Sequence, residues 1–119
     1  MKMRLLLIAV FGAALASTWV AYSRVTQHHR DAVYGAAIAP FQRDLPIGTP
    51  RAKVDEYLNF RQIEYHPVRI GGSDRVRYEI KIGEDPSTLV CEWNVYIAIE
   101  FSSADAVKDV RIAKVGTCL

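Results

Sequence analysis

The chain has 119 residues, of which 50% are hydrophobic, and its 15 Lys and Arg side chains slightly outnumber its 13 Asp and Glu side chains. Both excesses are concentrated in residues 1–22, where Lys2 and Arg4 have no acidic counterpart, so the rest of the chain is formally neutral. Neutrality argues against a nucleic-acid-binding protein, which needs a net basic face, and the length allows one small domain.

Residues 1–22 have the pattern of a targeting or membrane-anchoring segment. A short basic stretch precedes a run without charged side chains from Leu5 to Tyr22. As a helix this run is about 27 Å long, which matches the hydrocarbon core of a bilayer. Trp19 and Tyr22 suit a bilayer interface, so we favour an uncleaved anchor with its basic end in the cytoplasm.

The same segment also has the parts of a cleavable signal peptide. Leu5–Ala13 is a short apolar stretch, and Ala14–Ala16 form a small-residue cleavage site before Ser17. Both interpretations predict that the rest of the chain is exported. It is then either anchored in the inner membrane facing the periplasm, or periplasmic or secreted after cleavage behind Ala16. A lipoprotein signal would need a cysteine at position 18, where the sequence has Thr18.

Residues 23–44 are predicted to form a helical stalk or linker. Small and apolar residues recur at helical spacing from Arg24 to about Ala39. Pro40 is expected to end this helix, because proline lacks the amide hydrogen that an interior helical position donates. The folded domain is then expected to occupy residues 45–119.

A second helix is predicted over residues 50–61. Thr49 offers a capping oxygen, and Pro50 suits the first helical position, where a missing N–H costs little. The pattern places one apolar stripe toward the core, formed by Val54, Tyr57 and Leu58 with Arg61 at its end, and it turns three polar residues outward, namely Asp55, Glu56 and Asn59.

The second half of the chain is predicted to contain strands. Ile63–Ile70 is expected at an edge, because Pro67 cannot donate to a sheet ladder. A turn at Gly71–Asp74 leads to a strand from Val76 to Ile82, in which apolar and charged residues alternate. Residues 83–87 are expected to be a loop.

The last two strands are predicted to form a hairpin that pairs the two cysteines. Residues 93–101 alternate with period two, and a second run follows a small polar stretch. A turn centred between Ala104 and Asp105 places Ile97 opposite Ile112 and Cys91 opposite Cys118, on one face. Directly opposed Cβ atoms come close enough for a disulfide, which an exported protein favours.

These elements together predict an α+β domain. An N-terminal hydrophobic helix is followed by helices packed on an antiparallel meander of three or four strands.

Two parts of the sequence resemble known exported modules. Leu45–Pro50 with Val54 and Leu58, and the strand Val95–Phe101, resemble the SmpA/OmlA type of outer-membrane assembly lipoprotein, which shares its layout with β-lactamase-inhibitor-like domains. A closer likeness is to small uncharacterised exported bacterial proteins, and it rests on Lys81–Glu84, Cys91, Val95-Tyr96 and Gly116–Leu119. The resemblance implies a module that binds other proteins or has no assigned role, and it carries over no catalytic residue.

The sequence predicts no catalytic residue, cofactor or metal site, and no small-molecule substrate. Adjacent helical histidines such as His28 and His29 point about 100° apart and do not readily share a metal ion. The acidic pairs Asp55-Glu56 and Glu84-Asp85 resemble glycosidase carboxylates only by residue type. We therefore predict a non-enzymatic protein.

Three features are candidates for binding a partner. Tyr96 stands on the polar face of a strand, and Asp85 is expected at an exposed loop tip. The edge strand that contains Pro67 is a candidate for accepting an added strand. The leading hypothesis is an envelope-located interaction or structural module, held in the membrane through residues 5–22 or released from it. The alternative is a secreted inhibitor or immunity-like protein that fills an enzyme cleft.

Overall fold

The structure is a computed structural model that describes residues 2–72, 74–85 and 90–118. The chain forms two compact units that divide between Val33 and Tyr34. The helices are α1 (Lys2–Asp44) and α2 (Arg51–Phe60), and the strands are β1 (His66–Arg69), β2 (Val76–Asp85), β3 (Cys91–Phe101) and β4 (Val107–Cys118).

The four strands form one antiparallel sheet in the order β1-β2-β3-β4. Consecutive strands are neighbours, as expected for a meander with short connections. The predicted α+β class with an antiparallel meander is confirmed, and the meander has four strands. The short strand β1 lies at an edge with Pro67 opposite Tyr78, as the proline predicted.

The first unit contains the apolar part of α1. Every described side chain from Lys2 to Arg24 is exposed. By length and composition α1 is able to cross a membrane, and a signal sequence near an N-terminus has the same properties. The helix is therefore compatible with both predicted roles, a membrane anchor and a signal.

The prediction that Pro40 ends the first helix was wrong, because α1 continues through it to Asp44. A proline inside a helix removes one backbone hydrogen bond. On either side of it Ile38 and Phe41 pack against the core, which offsets that loss. Residues from Tyr34 onward belong to the second compact unit, so part of the expected linker over residues 23–44 is included in the folded unit.

The second helix was predicted nearly correctly, but its start differs. Val54 and Leu58 are fully buried, and Tyr57 packs at the margin of the core. Thr49 does not cap the helix, since its hydroxyl donates to the carbonyl oxygen of Pro46 at 2.7 Å and Pro50 occupies the N-cap position. The Thr49 carbonyl accepts instead from the amide of Val107, which attaches this loop to β4.

The predicted register of the last hairpin is confirmed. Cys91 lies opposite Cys118, Ile97 opposite Ile112 and Ile99 opposite Val110, and the two cysteines are bonded. The register shifts by one residue between Glu100 and Phe101, so Phe101 pairs with Val107. This bulge makes the turn tighter than predicted, with Asp105 in the left-handed region at a φ of 55°.

The predicted loop over residues 83–87 was partly wrong, because β2 continues to Asp85. The register shifts between Lys81 and Gly83, after which Glu84 and Asp85 pair with Asn94 and Trp93. A bulge preserves strand pairing while changing which side chains face the core, and period-two alternation alone does not reveal it. Pro86 and Ser87, like Ser73 and Leu119, lie outside the described residues.

Candidate interaction surfaces

Tyr96 lies on the sheet face opposite the buried residues Val95 and Ile97 of the same strand. Its direct cross-strand neighbours are Lys81 on β2 and Ala113 on β4. The phenol side chain is half-buried. An aromatic ring beside small and flexible side chains is a suitable contact for a partner, and it also packs across the strands.

The same face carries a group of ion pairs around Ala98. Arg111 donates to Glu100 at 2.7 Å and lies 3.5 Å from Asp109, while Arg77 pairs with Glu79. The hydrogen bond from Arg111 holds the pKa of Glu100 below its ordinary value. Ala98 is completely buried among these side chains, although the alternation placed it on an open face. The charges on this face neutralise one another.

Asp85 does not stand at an exposed loop tip as expected. It is only 3% exposed, and its carboxylate accepts from Lys114 Nζ at 3.2 Å. The ammonium of Lys114 also lies 5.9 Å from the centre of the Tyr34 ring on α1. The bulge in β2 turns Asp85 toward the side of the sheet that α1 covers, so its carboxylate is not presented at the surface.

A polar cluster joins α2 to the sheet. Asp55 accepts hydrogen bonds from the hydroxyls of Tyr65 at 3.0 Å and Tyr78 at 2.6 Å. Arg51 Nε donates to the Tyr78 oxygen at 2.9 Å, and its guanidinium lies 3.7 Å from Asp105. Burial and the neighbouring Asp55 raise the pKa of Tyr78, so its hydroxyl stays a donor. The outward orientation predicted for Asp55 was therefore wrong, and the cluster ties two layers together.

A shallow groove of about 450 Å³ lies between the end of α1 and α2. Leu45 and Tyr57 form part of its wall, and Phe60 at its margin is 90% exposed. Asp44 accepts from the Tyr57 hydroxyl at 2.8 Å. Hydrogen bonds from Arg43 and Tyr57 keep the pKa of Asp44 below its ordinary value. The carboxylate of Asp44 in this groove is therefore engaged by its own neighbours.

The two edges of the sheet differ in length and cover. Edge strand β1 has four residues and contains Pro67, which suits an edge that resists pairing. Edge strand β4 has 12 residues, and its beginning is covered. Gly48 donates to the Val107 carbonyl at 2.8 Å, and Gln42 Nε2 donates to the Val110 carbonyl at 3.2 Å.

The backbone direction along β4 follows from two observations. The Val110 carbonyl is bonded to Gln42, so it points away from β3. At the other end the Cα atoms of Cys91 and Cys118 are 4.1 Å apart, which is typical of the close antiparallel pairs that share no backbone hydrogen bond. Both observations place the N–H and C=O groups of the even-numbered residues from Val110 to Cys118 on the outer edge.

From Ile112 to Cys118 this outer edge is open. In the part of the chain that the structure describes, no backbone group of another segment bonds to it. The covered residues 107–111 carry three charges, whereas residues 112–118 carry one, Lys114, which is paired with Asp85. We refer to residues 112–118 of β4 as the open edge. Charged side chains ordinarily keep an exposed edge strand from pairing with other chains. In β4 three of the four charged residues lie in the covered part, and the open edge has only Lys114.

The sequence pointed to β1 for strand addition, because Pro67 marks an edge strand, and it did not identify β4 as the other edge of the sheet. In β4 the sequence shows a run with a single charge, residues 112–118. This run indicates an open edge only when the strand order is known to place β4 at the end of the sheet. His28, His29 and His66 form no metal cluster, and no group of three or more His, Cys, Asp or Glu side chains is placed to hold a metal ion anywhere in the described ranges.

Comparisons with known protein families, with curated protein sequences and with solved structures find no match for this chain.

Proposed function

We propose that this protein is a non-enzymatic interaction module of the bacterial cell envelope, held in the inner membrane by α1 with its sheet in the periplasm. The proposal includes a binding mode, in which a partner strand adds to the open edge. The observation that carries it is the combination of outward backbone groups that no other described segment bonds and a run of side chains with a single charge, Lys114, along residues 112–118.

Strand addition uses the main chain for affinity. An edge strand presents a row of donors and acceptors, and an added strand satisfies them without requiring a particular side chain. Alternating side chains then provide specificity, and on the open edge these are mostly small or β-branched. Tyr96 and Ala113 lie next to each other on the face that the added strand would extend.

Two features support the envelope location. The part of α1 that lies in the first unit is apolar and exposed. The Cys91–Cys118 bond suits an oxidising compartment. An uncharged run followed by Arg24 is more typical of a retained anchor than of a short signal stretch.

The non-enzymatic part of the proposal rests on how the polar groups are used. Asp44 beside the groove and Asp55 in the polar cluster accept hydrogen bonds from tyrosine hydroxyls of the same unit. The alternative hypothesis, an inhibitor that inserts an acidic loop tip into an enzyme, loses its expected contact because Asp85 is buried.

Location is tested by the intact mass of the protein from membranes and from the soluble periplasmic fraction. We expect the uncleaved chain in the membrane fraction, with residues after Tyr34 sensitive to protease added outside the inner membrane. A soluble form that begins at Ser17 would show a cleaved signal instead, and protection from external protease would contradict export.

The binding mode is tested by photo-crosslinking in intact cells. A photoreactive amino acid is placed at Val115 or Thr117 on the open edge, at Lys108 on the covered part of β4, and at Phe60 beside the groove. We expect one reproducible adduct from the two open-edge positions and none from Lys108. Adducts from Phe60 alone, or from no position, would contradict strand addition at β4.

A further inference from the structure

We infer that the strand added to the open edge belongs to a second copy of this chain, paired antiparallel to β4 about a two-fold axis at Val115. This inference rests on the proposed function, because it names the partner of the same edge. The result would be a continuous eight-stranded sheet across two copies.

The direction of the backbone groups limits the ways in which two open edges can pair. Even-numbered residues present their N–H and C=O groups outward, as the bond at Val110 and the close Cα atoms of Cys91 and Cys118 indicate. In an antiparallel pair the residues that exchange hydrogen bonds lie directly opposite each other. Even-numbered residues of one copy must therefore face even-numbered residues of the other.

Charge then selects among the allowed registers. One register places Lys114 opposite Lys114, and directly opposed like charges are unfavourable. Shifting the pairing by two residues places Lys114 opposite Gly116, which carries no charge and over which the ring of Trp93 lies. In this register Ile112 faces Cys118, and Val115 faces Val115.

The cover on β4 excludes registers shifted toward its beginning. Gln42 already occupies the outward carbonyl of Val110, so an added strand can use β4 only from about Ile112 onward. The register centred on Val115 uses the whole stretch from Ile112 to Cys118 in both copies. It provides about eight new backbone hydrogen bonds, two for each of the outward pairs.

The side chains of this register suit a symmetric contact. Val115 is 44% exposed, and pairing with itself buries an apolar side chain that water otherwise contacts. Ala113 faces Thr117, and both are small. Lys114 carries the one charge of the open edge, and the carboxylate of Asp85 in its own copy accepts its hydrogen bond. In this register no charged side chain lies opposite another charged side chain.

Size explains why a second copy is a better occupant than a freely diffusing peptide. A seven-residue strand buries much less than the roughly 800 Å² per partner of a stable soluble complex. Confinement of both copies to one membrane raises their effective concentration, and a tether of this kind strengthens a weak contact without new interactions. The apolar helix α1 is the element that supplies it.

The test is cysteine crosslinking of the full chain in its own membrane under mild oxidation. Two Val115 residues form a close pair without shared hydrogen bonds in the inferred register, the same kind of pair that Cys91 and Cys118 form. We expect the V115C variant to give a disulfide-linked dimer. Two A113C residues, or two T117C residues, would be separated by about 13 Å along the strands and should stay monomeric.

Co-expression of two different cysteine variants provides a positive control for these single variants. A113C and T117C face each other in the inferred register, so co-expression of the two variants should produce a linked dimer that neither gives alone. Retention of the Cys91–Cys118 bond, checked by peptide mapping, shows that each variant is folded. Failure of V115C to crosslink, or equal crosslinking of all three single variants, would overturn the inference.

The two proposals fail in different ways. If photo-crosslinking at Val115 gives an adduct with another protein while V115C stays monomeric, the interaction module stands and the second copy is wrong. If neither experiment gives an adduct, strand addition itself is wrong.

Discussion

The two ends of the sheet are stabilised by different means. At the end near the β3–β4 turn, both α2 and the loop before it cover the strands, and Leu58, Phe101 and Val107 are almost completely buried. At the opposite end β4 is exposed from Lys114 to Cys118. There β3 and β4 are joined by the Cys91–Cys118 bond and by the ring of Trp93, which packs on Gly116.

The difference shows how a small domain keeps an edge uncovered. Apolar burial stabilises the covered end, but covering the far end in the same way would bury the open edge. A covalent bond restrains the strand without occupying its outer hydrogen-bonding groups. The disulfide therefore stabilises the region that the proposed function requires to remain accessible. Five substitutions or groups of substitutions test how the covered and the open ends of the sheet are stabilised.

Leu58→Ala should cause the largest loss of stability. The side chain is fully buried between α2 and the sheet, and truncation leaves a cavity in a core that cannot close around it. We expect the free energy of unfolding to fall by about 4 kcal/mol, measured by urea unfolding of the full chain in mild detergent. Phe60→Ala on the same helix should change it little, and similar losses for both would contradict a core centred on Leu58.

Removing the disulfide should have the next largest effect. The cysteines are 27 residues apart, and closing a loop of this length contributes about 3.6 kcal/mol in the chain-entropy model. The double variant Cys91→Ala with Cys118→Ala should lose nearly that much. Reduction of the natural protein provides the control, since it should destabilise to the same extent. If the double variant instead lost protection from hydrogen exchange around Leu58, at the covered end, the disulfide would not be what stabilises the open end.

Gly116→Val should destabilise the open end by about 2 kcal/mol, because overpacking forces neighbours to move. A Cβ atom at this position would lie 2.8 Å from the ring of Trp93, which faces Gly116 across the strands. The shift is measured as the urea midpoint together with Trp93 fluorescence. In a Trp93→Leu background the same substitution should cost less, and an unchanged cost would exclude this contact as the cause.

Tyr78→Phe should weaken the junction of α2 with the sheet by about 1.5 kcal/mol, since it removes hydrogen-bond partners from two charged groups. Among the described residues, Asp55 would keep Tyr65 as its one side-chain donor, and Arg51 Nε would lose its acceptor. Tyr65→Phe removes one bond and should cost less, as measured by thermal unfolding. Equal effects of the two variants would show that Arg51 contributes nothing through Tyr78.

The smallest effect concerns acid stability. The pKa of Glu100 lies below its ordinary 4.5 because Arg111 donates a hydrogen bond to it. The ionised form is therefore favoured by folding, so its contribution is present above about pH 4.5 and is lost as the pH falls below that value. Glu100→Gln should reduce the fall in stability between pH 6 and pH 3. Arg111→Gln should give a smaller reduction, because Arg77 and Lys108 still lower the pKa of Glu100, and the double variant should match Glu100→Gln.

Most of the fold was predictable because local patterns carried it. The alternation in residues 93–101, the small turn residues and the pairing of two cysteines established the last hairpin, and Val54 and Leu58 established the buried stripe of α2. Failures occurred where a distant segment changed a local preference. Pro40 lies inside a helix because core packing holds the residues on both sides, and Asp55 points inward because two tyrosines reach it.

The candidate site was less predictable for the same reason. The sequence by itself determined the apolar first segment, the neutrality of residues 23–119, the α+β class and the disulfide, all of which depend on composition or on period. Only the tertiary structure decided that Asp85 is buried by a bulge, that β4 is a terminal strand, and that Gln42 and Gly48 cover its first half. Those facts depend on contacts between segments far apart in the chain, and local spacing does not encode which backbone groups such contacts leave open.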